Sequence, residues 1–170
     1  AGRRHSGILQ SLLGKENILV VTKQKGIPFN HISSFKDLNQ FDPDYIVIAS
    51  ETSQHYSFLR KIESSLKDKI VLIEKPLFHK KIDLSNLKNR YFVGYNIRFH
   101  PLINKIKEEL SNEQIYSVDI ICNSYLPDWR DNISYQDSSS ASKTAGGGVL
   151  LDLSHEIDFI QFIFGDISYI

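Results

Sequence analysis

The sequence contains no methionine, one cysteine, one tryptophan and five prolines in 170 residues. With Cys122 alone, an internal disulfide is impossible, and so is a zinc site built on paired cysteines. An excess of charge is also missing: 20 Lys+Arg balance 20 Asp+Glu for a formal net charge of zero. That balance argues against nucleic acid or an anionic membrane as the main partner. No apolar run approaches the roughly 20 residues of a membrane-spanning helix. The longest, 45–49 and 70–73, are strand-sized. The opening Ala1-Gly2-Arg3-Arg4-His5 lacks the apolar core of a signal peptide, so the expected location is the cytoplasm. The absent methionine, the helix-like opening and the strand-like close at 167–170 read as a piece of a longer protein.

What is present is ordinary for a globular chain: 41% hydrophobic and 24% charged residues. Ile8, Leu9, Leu12 and Leu13 fall at helical spacing, with Gly14 as a stop. Residues 18–21, 45–49 and 70–73 are short runs that are apolar throughout. A brief helix or turn is expected over 35–41, a turn over 25–28 and a helix over 55–66. Continuous apolar strands alternating with helices predict a parallel sheet covered on both faces. The pattern continues with a helix near 83–87 and a strand at 91–93. From Pro101 the character changes: a helix, a longer strand over 115–121, a polar stretch over 131–144, Gly146-Gly147-Gly148, and an apolar helix over 149–164 ended by Gly165. A boundary near 95–101 is expected, giving a first domain of residues 1–96 and a second, α+β domain of residues 97–170 with an unfinished antiparallel sheet. No internal repeat is visible.

Three strand ends carry polar residues: Thr22-Lys23-Gln24-Lys25, Ser50-Glu51-Thr52-Ser53 and Glu74-Lys75-Pro76. Parallel α/β sheets bind ligands at such ends, and turns alone also need such residues. Lys75 follows four apolar residues and precedes a rigid proline. A Lys at the rim of an apolar site can move protons; the plainer reading is a Lys snorkelling beside a strand. Asp152 and His155 are three apart and share a helix face, with Glu156 and Asp158 nearby among many apolar residues. A carboxylate-oriented His is a general acid–base candidate, while Asp152 is equally placed to cap the helix and Asp158 to serve a surface pair. His5, His31, His79 and His100 show no metal-ligand spacing, so no metal site is expected.

The ordered set Glu74-Lys75-Pro76, Tyr95-Asn96-Ile97-Arg98-Phe99-His100-Pro101 and Gly146-Gly147-Gly148 through Asp152, His155 and Asp158 resembles the Gfo/Idh/MocA oxidoreductases. The segment from Ala49 to His55 and the opening Gly2-Arg3-Arg4-His5 are similar to two further motifs of that family, the second to the end of its glycine-rich loop. The resemblance implies a Rossmann-type doubly wound parallel sheet binding NAD or NADP, then an α+β domain with a mostly antiparallel sheet. It implies reversible hydride transfer between the nicotinamide and a hydroxyl-bearing carbon of a sugar, sugar nucleotide or cyclitol, and a homo-oligomer formed through the open sheet. By the same resemblance Lys75 and His155 are catalytic, with Asp152 as the acidic partner. Gly2, Arg3, Thr22, Lys23, Ser50, Thr52, His55, Glu74 and Lys75 are expected at the cofactor. Tyr95, Arg98, Trp129 and Arg130 are expected on the substrate side.

The sequence departs from the family at several points. Asp152 stands three rather than four residues before the His, and Glu51 replaces a usual proline. After the 18–21 strand comes Thr22-Lys23 rather than an acidic residue for a ribose 2′-hydroxyl, which leans toward NADP with Lys23 or Lys25 on a 2′-phosphate. The stretch from Ser124 to Arg130 is similar to a bacterial subgroup associated with surface-polysaccharide sugars. Two other readings stay open: a relative that uses NAD transiently during glycoside cleavage, and a non-catalytic dinucleotide-binding module. A first strand and the first glycines of the loop are expected to precede Gly2. The 170-residue chain alone is therefore expected to bind dinucleotide weakly.

Overall fold

The computed structural model describes residues 1–129, 131 and 134–168, apart from the side chains at 37, 39 and 40. Three strands form one parallel sheet in the order β3 (Tyr45–Ile48), β4 (Ile70–Ile73) and β5 (Arg90–Val93). Tyr45 lies opposite Ile70, and Ile70 opposite Arg90, with no slip along the ladder. These strands are rich in β-branched and aromatic residues, which suit a pleated, buried surface. A second parallel pair joins β1 (Val20–Val21) to β2 (His31–Ile32).

Helix α2 (Thr52–Ser65) lies between β3 and β4 in the chain and seats Leu59 and Ile62 against the sheet. Ile48, Leu59, Ile62, Val71 and Ile73 form the buried core, and all but Ile48 are at most 1% exposed. Phe35, Phe58, Leu66, Leu77, Phe78 and Leu84 close around it. Burying a Leu or Ile this fully stabilises the fold by about 1.5–3 kcal/mol each. Helix α1 (Gly2–Leu13) touches β3, but Ile8, Leu12 and Leu13 stay at least half exposed. The apolar stripe of α1 is thus largely uncovered, in contrast to that of α2.

Past the sheet come α3 (Pro101–Leu110), α4 (Val149–Asp152) and α5 (Ser154–Phe164). Pro101 sits in the first turn of α3, where its missing N–H costs nothing. The long helix expected over 149–164 is broken at Leu153, whose φ of −98° and ψ of 29° leave helical geometry. Gly165, with φ of 93°, ends α5.

Two expected elements do not form. No helix spans 83–87: Asn86 takes a positive φ of 55°, and Asn favours such turns. No strand forms over 115–121, because a strand exists only by pairing and no neighbouring strand adjoins it among the described residues. Tyr116 and Ile121 are consequently well exposed. Both described sheets are parallel, so the antiparallel sheet expected for the second domain has no strand among the described residues. No helix among them is long and apolar enough to cross a membrane.

Candidate active site

Each strand of a parallel sheet ends on the same side, so the turns after β3 and β4 share one rim. The start of α1 joins them there: Gly2 packs beside Ala49, the residue just after β3. His5, one turn into α1, places Nε2 2.5 Å from Oε1 of Glu74, the residue just after β4. The Ala1 N-cap supplies no side-chain cap, and no acidic residue stands in the first turn. First-turn N–H groups flanked by Arg3 and Arg4 are suited to an anion such as a pyrophosphate.

His55 is buried between the two turns of that rim. It is 1% exposed, with Nδ1 3.1 Å from the carbonyls of Pro76 and Leu77, and Nε2 3.1 Å from the Ser50 carbonyl. Its ring joins the β3 turn to the Glu74-Lys75-Pro76 turn. Thr52, at the start of α2, is covered by Gly146: a Cβ there would come within 2.9 Å of the Thr52 Cβ. Gly146 has φ of 87°, which glycine adopts readily. Ser53 N–H donates to the Ala145 carbonyl at 3.3 Å, so the glycine-rich loop rests on the α2 N-terminus.

Lys75 reaches across to the other half of the chain. Its Nζ donates to the backbone carbonyl of Asp152 at 2.5 Å. The Asp152 carboxylate turns elsewhere. Oδ1 accepts from the Ser140 hydroxyl and Oδ2 from the Gly148 N–H, both at 3.1 Å. Asp152 therefore pins the loop before α4 and offers Lys75 a carbonyl. The Gly148 bond ties Asp152 back to the start of α4.

His155, the second residue of α5, lies beside this contact. Tyr95 meets its ring edge-on, with centroids 5.6 Å apart at 80°. Burial pushes the His155 imidazole below its ordinary value, with the Lys75 ammonium as the second cause. Glu156, Asp158 and Glu74 pull the other way, and less. Ser154 Oγ, His155 Nδ1 and Glu156 Oε2 are buried without a hydrogen-bond partner among the described residues. Donors and acceptors left this way are open to water or to a ligand. A cavity of about 300 Å³ opens alongside, lined in part by Pro76, Leu77, Tyr95, Leu151, Ser154 and Ile157.

Arg98, expected to face substrate, is instead engaged within the protein. Its Nε and Nη2 donate to the two Asp158 oxygens at 2.8 and 2.6 Å. That pair raises the Arg98 guanidinium further, chiefly through the hydrogen bond. Phe162 lies under the same guanidinium at 5.3 Å. Trp129 is bonded within its own loop, Nε1 to the Ser124 hydroxyl at 2.5 Å. Arg130 lies outside the described residues. Thr22 and Lys23 follow β1 in the separate two-stranded sheet, where the Thr22 hydroxyl accepts from Gln24 N–H at 3.1 Å. Lys75, Asp152, His155 and Tyr95 are thus brought together, and Gly2 and Glu74 lie at the same strand ends. Sequence reasoning assigned no role to His5, Ser140 or Ser154. Only the position of His5 at the end of a recognisable motif hinted at one.

No family model matches this sequence, and no curated protein matches it. Among solved structures, the crystal structure of the WlbA (WbpB) dehydrogenase from Thermus thermophilus, in complex with NAD and UDP-GlcNAcA, is similar. The TM-score is 0.69 at 16% identity, over 98% of this chain and 60% of that one. The chain thus spans 60% of the length of this neighbour. The likeness shows the fold: mixed α/β with parallel sheets, of a Rossmann-like type.

Proposed function

We propose that this chain belongs to an NAD(P)-dependent oxidoreductase of the Gfo/Idh/MocA type, acting on a hydroxyl-bearing carbon of a sugar or sugar nucleotide. The observation that carries the reading is that Lys75, held at the Asp152 carbonyl, comes close enough to act on the charge of His155, 80 residues away in sequence, beside a cavity lined in part by Tyr95 and Ser154. A dinucleotide-binding module needs neither group. The bound NAD and sugar nucleotide of the structural neighbour support the same class of ligands. We assign residues 1–96 to cofactor binding and residues 97–170 to the substrate side.

In this reading the first-turn N–H groups of α1, with Arg3, hold the pyrophosphate, and Ser50, Thr52 and Glu74 line the rim around it. When bound, the nicotinamide supplies the hydride acceptor. Lys75 Nζ hydrogen-bonds the reacting hydroxyl in place of the Asp152 carbonyl. His155, kept neutral by burial and by Lys75, receives the hydroxyl proton at a ring nitrogen. Tyr95 holds the His155 ring on edge, beside a cavity whose wall is largely apolar. Arg98 and Asp158 brace the α5 end of the site from behind. The neighbour carries NAD, which gives no support to a preference for a 2′-phosphate at Lys23.

The test is NAD(P)H formation by the intact protein over a panel of UDP-sugars and free sugars. One substrate class should reduce the cofactor in the steady state. Lys75→Met and His155→Ala should each lower kcat by about 10²–10⁴, the usual contribution of a positioned proton-transfer group. Unchanged turnover in both variants would refute the assignment.

A further inference from the structure

We propose that His5 is a positioning residue for Lys75, acting through Glu74 from the α1 side while His55 secures the same turn from the α2 side. The proposal rests on Lys75 having the role argued above. Glu74 is the residue before Lys75, and its Oε1 lies 2.5 Å from His5 Nε2. Both side chains are about three-quarters covered, at 27% and 24% exposure, so water screens this contact less than a surface pair. The Glu74 backbone is fixed as well, its N–H donating to the Ile48 carbonyl at 2.9 Å. Pro76 and Leu77, the residues after Lys75, face the buried His55 through their carbonyls.

Lys75 is therefore flanked on both sides by residues that a histidine holds. Its backbone has little room to swing, and its four-carbon stem is held only at Nζ, by the Asp152 carbonyl. The cost of ordering that stem is large for an unrestrained Lys, and a fixed backbone removes part of it before substrate arrives. The alternative is that the His5–Glu74 contact simply stabilises the junction of α1 and β4. In that case its loss would loosen the whole site and leave no special effect on Lys75.

The two are separated by brief acylation of the intact protein with acetic anhydride. Peptide mass spectrometry then compares Lys75 with the well-exposed Lys105. His5→Ala and Glu74→Gln should raise the Lys75:Lys105 ratio by about tenfold, the change expected on losing one hydrogen bond to a charged group. His5→Gln, which keeps an N–H donor for Glu74, should restore most of the protection. An unchanged ratio in His5→Ala and Glu74→Gln would overturn the proposal. So would a parallel rise at every lysine accompanied by a fall in Tm, which would mark a purely structural contact. Kinetics separate this from the functional reading. If the ratio responds to His5 while Lys75→Met leaves turnover unchanged, the clamp stands and the assigned role of Lys75 falls.

Discussion

Arg98 shows how much a residue's role depends on its partner. A motif position suggested a guanidinium facing substrate, yet both arms meet Asp158, which is 5% exposed. A buried carboxylate is tolerable only when paired. Arg98→Ala should therefore destabilise the protein by about 2–3 kcal/mol, less than for a fully buried pair because Arg98 is partly in water. Arg98→Lys should recover little, since a single ammonium cannot make the two-armed contact. Urea denaturation of the variants checks both statements; an Arg98→Ala protein as stable as the parent would contradict them. Asp152 teaches a similar lesson. Its identity was readable, but the helix face it was expected to share with His155 is interrupted at Leu153, and the two groups its carboxylate serves, Ser140 and Gly148, come from a loop whose path no spacing rule encodes.

At the scale of elements, the strands at 45–48, 70–73 and 90–93 were legible from short apolar stretches, although Tyr45 and Phe92 stay exposed and only Ile48, Val71 and Ile73 are buried, so the sheet is less covered than continuous apolar runs suggest. Strand β2 was not, because two residues with one histidine carry no pattern and only pairing with β1 defines them. The opposite error occurred at 115–121, where β-prone residues form no ladder among the described residues. A less visible tie holds α2 to the sheet. Glu63, 7% exposed near the end of α2, accepts from Lys88 N–H at 2.9 Å and from Asn89 Nδ2 and Tyr91 Oη at 2.7 Å. Burial pushes its carboxyl up, but these bonds outweigh burial and leave it below the ordinary 4.5. Its stabilising contribution is therefore complete above 4.5 and is lost as pH falls through the lower, folded-state value. Glu63→Gln should cost about 1–3 kcal/mol at neutral pH. It should also flatten the decline in stability below 4.5. Tm measured against pH for parent and variant tests both, and parallel curves would sink the idea.

At the scale of the whole molecule, the fold's contribution is to bring distant segments together. The β4 turn delivers Lys75, and the break at Leu153 lets α5 start anew beside the cavity, with His155 as its second residue. Motif order in the sequence pointed to that meeting, but its electrostatic consequence needed the geometry. Burial and the Lys75 ammonium both hold His155 below 6.5, while Glu156, Asp158 and Glu74 oppose them. The most direct test follows the His155 ring signals by NMR across pH in the parent protein and in Lys75→Met. The midpoint should lie below 6.5 in the parent and move upward in Lys75→Met, because an uncharged side chain no longer disfavours the imidazolium. A His155 midpoint at or above 6.5 in the parent, or one indifferent to Lys75→Met, would show that the two groups do not share a site.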